Sequence, residues 1–377
     1  MGGNTDDLLL LGRCLGVDES NGALDALREQ LGTAGRDWRP FVALANRHQV
    51  VPALSLSLRR KRCEDVLPDD LQYYLAEVLQ RNARRNALLR QQACEAVAAL
   101  NETSVEPIVL KGGLHLFESG FDRAGRIMAD LDFLVPRPEF ETAVYALRRI
   151  GYSVLETPTD RSEYSLTLFR PGVLATIDMH RDLGPQRTLL PADVAIAAAV
   201  RLSSEGLELR ALSPTHQVLH AIVNASVNEP HYRMATIALC RLHELVLLSQ
   251  RRTDAIDWNS VYRGMANEGL QQAVTALLSL ARRLLGMPLP PAISETMHAR
   301  LYVARYLLQT RYVPPMTLGR LWGRLTHTFG RVRMDYFYPC GRSRWRLTVS
   351  RLRHAGSILR RRDMEALETI ANDFRAD

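Results

Sequence analysis

The sequence predicts an α+β protein: a small mixed sheet embedded between helical N-terminal and C-terminal regions. Three features carry that expectation. Apolar residues recur at helical spacing through residues 1–100 and again from Pro191 onward. Between these stretches, short β-branched or alternating runs are punctuated by Pro and Gly, the pattern of strands and turns. Across the 377 residues, 46% apolar and 24% charged content is ordinary for a globular chain.

The N-terminal region, 1–100, carries Leu8 and Leu11, then Leu24, Leu27 and Leu31, at helix periods. Asp37 before Trp38 has the chemistry of an N-cap for a helix bearing Phe41, Leu44, Ala45 and His48. The spacing predicts a long helix over 70–101, with Leu71, Leu75 and Leu79 inside and Arg81, Arg84, Arg85 and Arg90 on a solvated face.

The second unit, 101–184, opens with Ile108, Val109 and Leu110, a short buried strand closed by Gly112 and Gly113. A helix follows at Leu114, Leu116 and Phe117. A Gly pair opening a helix lets backbone approach an anion, and the unpaired N–H groups there suit phosphate. Lys111 beside the turn could reach the same phosphate, against the bland reading of a surface lysine. Strand alternation then puts Asp130, Asp132 and Leu134 on one face and Leu131, Phe133 and Val135 on the other. Two carboxylates side by side repel unless a cation lies between them, and Mg²⁺ takes oxygen ligands that it shares with phosphates. Arg126 fits either a triphosphate or an ion pair with Asp130 or Asp132.

After Pro136 and Pro138 the pattern predicts a helix over 139–150, strands over 152–155 and 164–169, and a turn at Pro171-Gly172. The next strand carries Thr176, Asp178 and His180 on one face, and pairs as a hairpin with the strand before it. If the Asp132 and Asp178 strands are neighbours, three carboxylates can surround two metals, the apparatus of in-line displacement at phosphorus. His180 suits orienting a carboxylate, acting on an acceptor hydroxyl, or simply a satisfied place in the core.

The third unit, 185–313, reads as helices over 192–202, from Ser213-Pro214 to 228, and over 234–249, 257–267, 270–285 and 291–312. His216 and His220 stand four apart as in a zinc protease, but Gln217 replaces the general-base Glu that such a motif needs. Neither a Gly-x-Ser-x-Gly elbow nor a Walker-type Gly-Lys-Ser/Thr loop is present. In the fourth unit, 314–377, the stretch as far as Arg362 sets its arginines against one acid, Asp335, with Trp322, Phe329, Tyr336, Phe337, Tyr338 and Trp345 interleaved. That mixture suits a polyanion, either RNA or an anionic surface, or else a helical tail with solvated arginines.

Leu110-Lys-Gly112, Arg126 through Asp132, and Asp178-Met-His180 together resemble the motifs of the bacterial uncharacterised nucleotidyltransferase family, of the polymerase-β-type nucleotidyltransferase fold. The likeness extends upstream to Trp38–His48 and downstream to Ala255-Ile-Asp-Trp258. It implies an enzyme dependent on Mg²⁺ (or Mn²⁺) that uses an NTP as co-substrate. An NMP would pass to a hydroxyl-type acceptor with release of pyrophosphate. It implies Asp130, Asp132 and Asp178 as catalytic and metal-binding residues, Lys111, Gly112, Gly113 and Arg126 as nucleotide-binding, and His180 on the acceptor side. The helical region after the sheet is implied to shape the acceptor site, with His243 and Glu244 facing it. The acceptor stays open among small molecules, peptides or proteins, and RNA. In the wider fold a Ser usually follows the Gly where this chain has Gly113, so a non-catalytic nucleotide- or nucleic-acid-binding module is the alternative.

Five scattered cysteines without a C-x-x-C pair argue for reduced thiols and against a zinc site or disulfide frame. The N-terminus lacks the basic start of a signal peptide, and no apolar run approaches the roughly 20 residues of a membrane span. A cytoplasmic protein is expected.

Overall fold

A computed structural model describes residues 5–118, 121–155, 164–184, 190–204, 206–228, 231–251, 253–266, 270–311 and 343–360, with isolated positions between 318 and 338. Helices α1 (Thr5–Leu15), α2 (Asn21–Leu31), α3 (Arg39–Arg47) and α4 (Val51–Arg60) precede the long α5 (Asp69–Asn101), close to the expected 70–101. The N-cap of α3 is Trp38 rather than Asp37. Asp37 instead accepts from the Arg39 backbone N–H at 3.1 Å and pairs with its guanidinium, because it stands one residue too early to reach the next turn.

The sheet contains β1 (Ile108–Val109), β2 (Asp130–Leu134), β3 (Ser153–Val154), β4 (Ser165–Phe169) and β5 (Thr176–His180). The short α6 (Leu114–Phe117) follows β1, and α7 (Phe140–Arg149) follows β2. Beyond α8 (Ala192–Ala197), the expected helix over 192–202 gives way to a hairpin of β6 (Val200–Ser204) and β7 (Leu207–Ala211), turned at Gly206 with φ +80°. Leu209 and Ala211 bury while Glu208 stays at the surface, so the run has the two-residue period of a strand. The seven strands run β3-β4-β5-β2-β1-β7-β6. Pairing is antiparallel except between β2 and β5 and between β1 and β7, which makes the sheet mixed as the fold class requires. The expected hairpin is β4 against β5, with Thr167 opposite Asp178.

Helices resume with α9 (Pro214–Val223), capped by Ser213, whose side chain accepts from the His216 N–H. His216 returns a ring contact to the same hydroxyl at 3.0 Å, which gives it a capping role. Then come α10 (His231–Met234), α11 (Leu239–Arg251), α12 (Trp258–Ala266), α13 (Gln271–Leu285), α14 (Met297–Arg311) and α15 (Arg344–Arg360). No helix of the described residues is long and apolar enough to cross a membrane.

Two cores meet along α5. Its first half contributes Leu71 and Leu75 to a core shared with α1, α4, α11 and α13. Its second half sends Leu89, Ala93, Ala96, Val97 and Leu100 against Phe133, Ile177 and Met179 of the sheet, with Phe140 and Leu147 of α7. The apolar face of β2 and β5 is therefore sealed by helices, which leaves the Asp132–Asp178 face on the opposite side of the pleat.

Candidate metal centre

Parallel pairing of β2 and β5 sets Asp132 directly against Asp178, with Asp130 opposite Thr176 and Leu134 opposite His180. Opposed residues on one face lie within side-chain reach, so the register alone brings the two carboxylates together. Asp132, Asp178 and His180 each present a ligand atom, all within 4.8 Å of one another. Asp130 stands one pleat earlier and is not in this group among the described residues. It remains within electrostatic reach: burial, and then the charge of Asp132, raise its carboxyl above the usual range.

Asp132 is 2% exposed and would be costly to ionise there without partners. It has two. Lys111 Nζ donates to its Oδ1 at 2.5 Å, and His180 Nε2 lies 2.9 Å from the same oxygen. Burial alone would raise this carboxyl. The His180 hydrogen bond and the Lys111 charge together outweigh it and hold Asp132 well below the usual carboxylate range. The reciprocal holds for Lys111, where burial pulls down but Asp132 leads the carboxylates that raise it. Asp178 accepts from Thr167 Oγ1 at 2.7 Å. Among the described residues no hydrogen bond reaches Oδ2 of either Asp132 or Asp178, so each keeps one oxygen for a cation. The two carboxylates suit Mg²⁺ or Mn²⁺, which take oxygen ligands, while His180 Nε2 is held by Asp132, so the residues present fit a divalent ion.

Lys111 reaches Asp132 because the chain turns sharply after β1. Its own backbone is left-handed, φ +46°, an unusual state for a side-chain-bearing residue. Gly112 and Gly113 follow in a short 3₁₀ turn with ordinary φ, so they are demanded by crowding rather than by backbone sign. A Cβ on Gly112 would meet Met128 Cγ at 2.8 Å and Arg126 Nε at 3.0 Å, and one on Gly113 would meet Val109 Cγ1 at 2.7 Å.

Arg126 does not pair with Asp130 or Asp132. Its Nη2 meets Glu244 of α11 at 2.9 Å, a partner that no local pattern reveals. Its Nε, beside Gly112, is buried without a hydrogen bond. An orphaned guanidinium N–H next to a turn with no room for a methyl group is the kind of donor a phosphate oxygen would satisfy.

The loop that leads into β2 is fastened by α5. Asn82 Nδ2 donates to the carbonyls of Ala124 and Arg126 at 2.7 and 2.9 Å, and Asn86 Nδ2 to those of Arg123 and Arg126 at 2.5 and 2.8 Å. Arg85 donates to the Met128 carbonyl. Sequence reasoning placed Arg85 on a solvated face and assigned nothing to the two asparagines. No local pattern marked these contacts, which only the packing of the loop on α5 reveals.

His243 and Glu244 both line a cavity beside this loop, together with Arg126. His220 is buried near Lys111, and burial pushes its imidazole down to about 3. At the C-terminal end, Arg344, Arg346, Arg351 and Arg353 of α15 are exposed, as are Trp322 and Trp345. Arg320, Arg324, Arg331, Arg333, Arg342, Arg361 and Arg362, with Asp335, Tyr336 and Phe337, lie outside the described residues.

A family model described as an uncharacterised nucleotidyltransferase matches residues 34–286, well over half of the chain. No curated protein matches it.

Proposed function

The chain belongs to the uncharacterised nucleotidyltransferase family, and from that premise we propose that it is a cytoplasmic, Mg²⁺- or Mn²⁺-dependent enzyme moving an NMP from an NTP to a hydroxyl-type acceptor. The observation that carries this reading is the direct opposition of Asp132 and Asp178 in parallel strands, with His180 completing a ligand set within 4.8 Å. Asp132 and Asp178 would hold the metal, and Asp130, one pleat along, would serve a second ion bound with the triphosphate. The metal supplies charge neutralisation at the phosphates.

The chain's own groups account for the rest. The acceptor oxygen attacks the α-phosphorus, the bond to the β-phosphate oxygen breaks, and pyrophosphate leaves. Asp178, steadied by Thr167 at Oδ1, is the carboxylate that takes the acceptor's proton. Lys111 and the orphaned Nε of Arg126 flank the Gly112 turn and donate to the triphosphate. His180 fixes the orientation of Asp132 rather than that of Asp178. The basic α15 contributes a polyanion-binding surface.

Labelled NTPs with Mg²⁺ or Mn²⁺ provide the test. Turnover is expected from the wild type and not from Asp132→Ala or Asp178→Ala, and wild-type turnover by either variant sinks the assignment. One observation favours a second reading, a non-catalytic binding module. Lys111 already supplies Asp132 with a cation, as a site that had given up its metal would need. Its signature is NTP binding that neither needs metal nor responds to Asp178→Ala.

A further inference from the structure

We propose that the cavity between α4, the Phe121–Ile127 segment and α11 is the acceptor pocket, and that it admits a small anionic molecule bearing a carboxylate or phosphate. The inference rests on the nucleotidyltransferase reading and supplies the acceptor class that this reading leaves open. The cavity measures about 320 Å³, which is room for a metabolite but not for an RNA strand or a protein helix.

Charge sets the ligand class. Arg60, Arg126 and Arg251 line the cavity against two lining acids, Asp122 and Glu244. Asp122 caps the following turn, its carboxylate accepting from the Ala124 N–H at 2.8 Å. Glu244 holds Arg126. Arg60 meets Glu19, which is not a lining residue, through its Nε at 2.8 Å. The lining residues themselves carry three guanidiniums to two carboxylates, and guanidinium forks match carboxylate and phosphate oxygens. His243, also on the wall, is kept neutral by burial, which lowers it to about 4, and so offers a hydrogen bond without adding charge.

Position sets the role. Arg126 spans two places at once, with Nε beside Gly112 and Nη2 on Glu244 in the cavity wall. His115 and Glu244 line both this cavity and a narrower crevice of about 40 Å³ that includes Lys111. A molecule seated in the larger space is thus a neighbour of the turn where the triphosphate binds. A nucleobase is the poorer occupant. Phe121 is the only Phe, Tyr or Trp among the described lining residues, and its ring is already engaged by Arg251 at 4.1 Å and His115 at 4.0 Å.

Two measurements on the full chain test this. In metal-free buffer with inorganic phosphate as probe, calorimetry should show saturable binding that weakens roughly tenfold in Arg60→Gln and in Arg251→Gln, the loss of one charge-assisted hydrogen bond each. Binding that both variants retain and Lys111→Met abolishes would place the anion on the glycine turn and overturn the proposal. In the second measurement, α-labelled NTPs and Mg²⁺ are incubated with a cell extract separated by ultrafiltration. Label is expected in a small product of the filtrate that anion exchange retains. Label confined to the macromolecular fraction overturns the acceptor class while leaving nucleotidyl transfer intact. Absence of label and of pyrophosphate in every fraction overturns both.

Discussion

Replacing Lys111 with Met should weaken the metal-free protein and strengthen its response to metal. The ammonium lies 2.5 Å from an Asp132 oxygen, in a pair whose side chains are 24% and 2% exposed. Removing one partner of a buried pair costs about 3–5 kcal/mol, and the partial exposure of Lys111 points to the lower figure. Scaled by the usual unfolding entropy per residue to a chain of this length, about 3 kcal/mol corresponds to a Tm lower by about 4 °C. In the wild type an arriving Mn²⁺ shares Asp132 with the lysine. In the variant it would meet an Asp132 whose lysine partner is gone and which keeps only its His180 contact. Each tenfold gain in affinity adds about 1.4 kcal/mol at fixed free metal, or about 2 °C. Thermal melts of both proteins with and without Mn²⁺, with Asp178→Asn as control, measure the two effects. An unchanged metal-free Tm, or a Mn²⁺ shift no larger than the wild type's, refutes the account of Lys111 as the cation standing at a metal carboxylate.

Three other outcomes are expected. Asn86→Ala removes two hydrogen bonds from a fully buried helix position and leaves the Arg123 and Arg126 carbonyls underserved. Urea denaturation should show a loss of about 2–3 kcal/mol, and a wild-type midpoint would contradict the fastening role. His220 is buried, and its folded pKa of about 3 lies below the ordinary value. Its contribution is therefore complete above about pH 6.5 and declines as pH falls toward 3, reaching about 2 kcal/mol lost at pH 5. A pH series on His220→Gln should be flatter by that amount, and parallel curves would exclude the effect. Lastly, if the exposed Arg344, Arg346, Arg351 and Arg353 of α15 engage single-stranded RNA, log K should fall against log salt with a slope of about −3, at about −0.7 per phosphate contact. A flat titration would make α15 a structural element only.

The candidate metal carboxylates were legible because a strand's side chains alternate. Asp130 and Asp132 had to share a face, and Asp178 with His180 had to share another, so only the pairing of the two strands was unknown. The register then put Asp132 opposite Asp178. The β6–β7 hairpin was not legible in its first strand, because the alanines before Val200 favour a helix and carry that reading past Ala197. The alternation of Leu207, Leu209 and Ala211 after the Gly206 turn was a strand signal in a stretch, 203–212, to which the sequence reading gave no element. Glu244 as the partner of Arg126 could not be read at all, since an ion pair between distant segments depends on how helices pack, which leaves no local periodicity. The asparagines of α5 were equally silent. A polar side chain on a helix implies solvent unless one knows that a loop lies over it.

That helix also dictates where the chain can tolerate changes in length. Asn82 and Asn86 grip the loop, while Leu89 through Leu100 grip the sheet, all on one uninterrupted α-helix. Inserting a single residue between the two grips would rotate one against the other by about 100°, which points the asparagines away from the carbonyls they serve. Four inserted residues would nearly restore the phase but move the loop by about 6 Å along the axis, too far for the same hydrogen bonds. No insertion repairs both rotation and rise. Length variation among functional relatives should therefore fall in the surface connections, with the stretch from Asn82 to Leu89 kept at a fixed count.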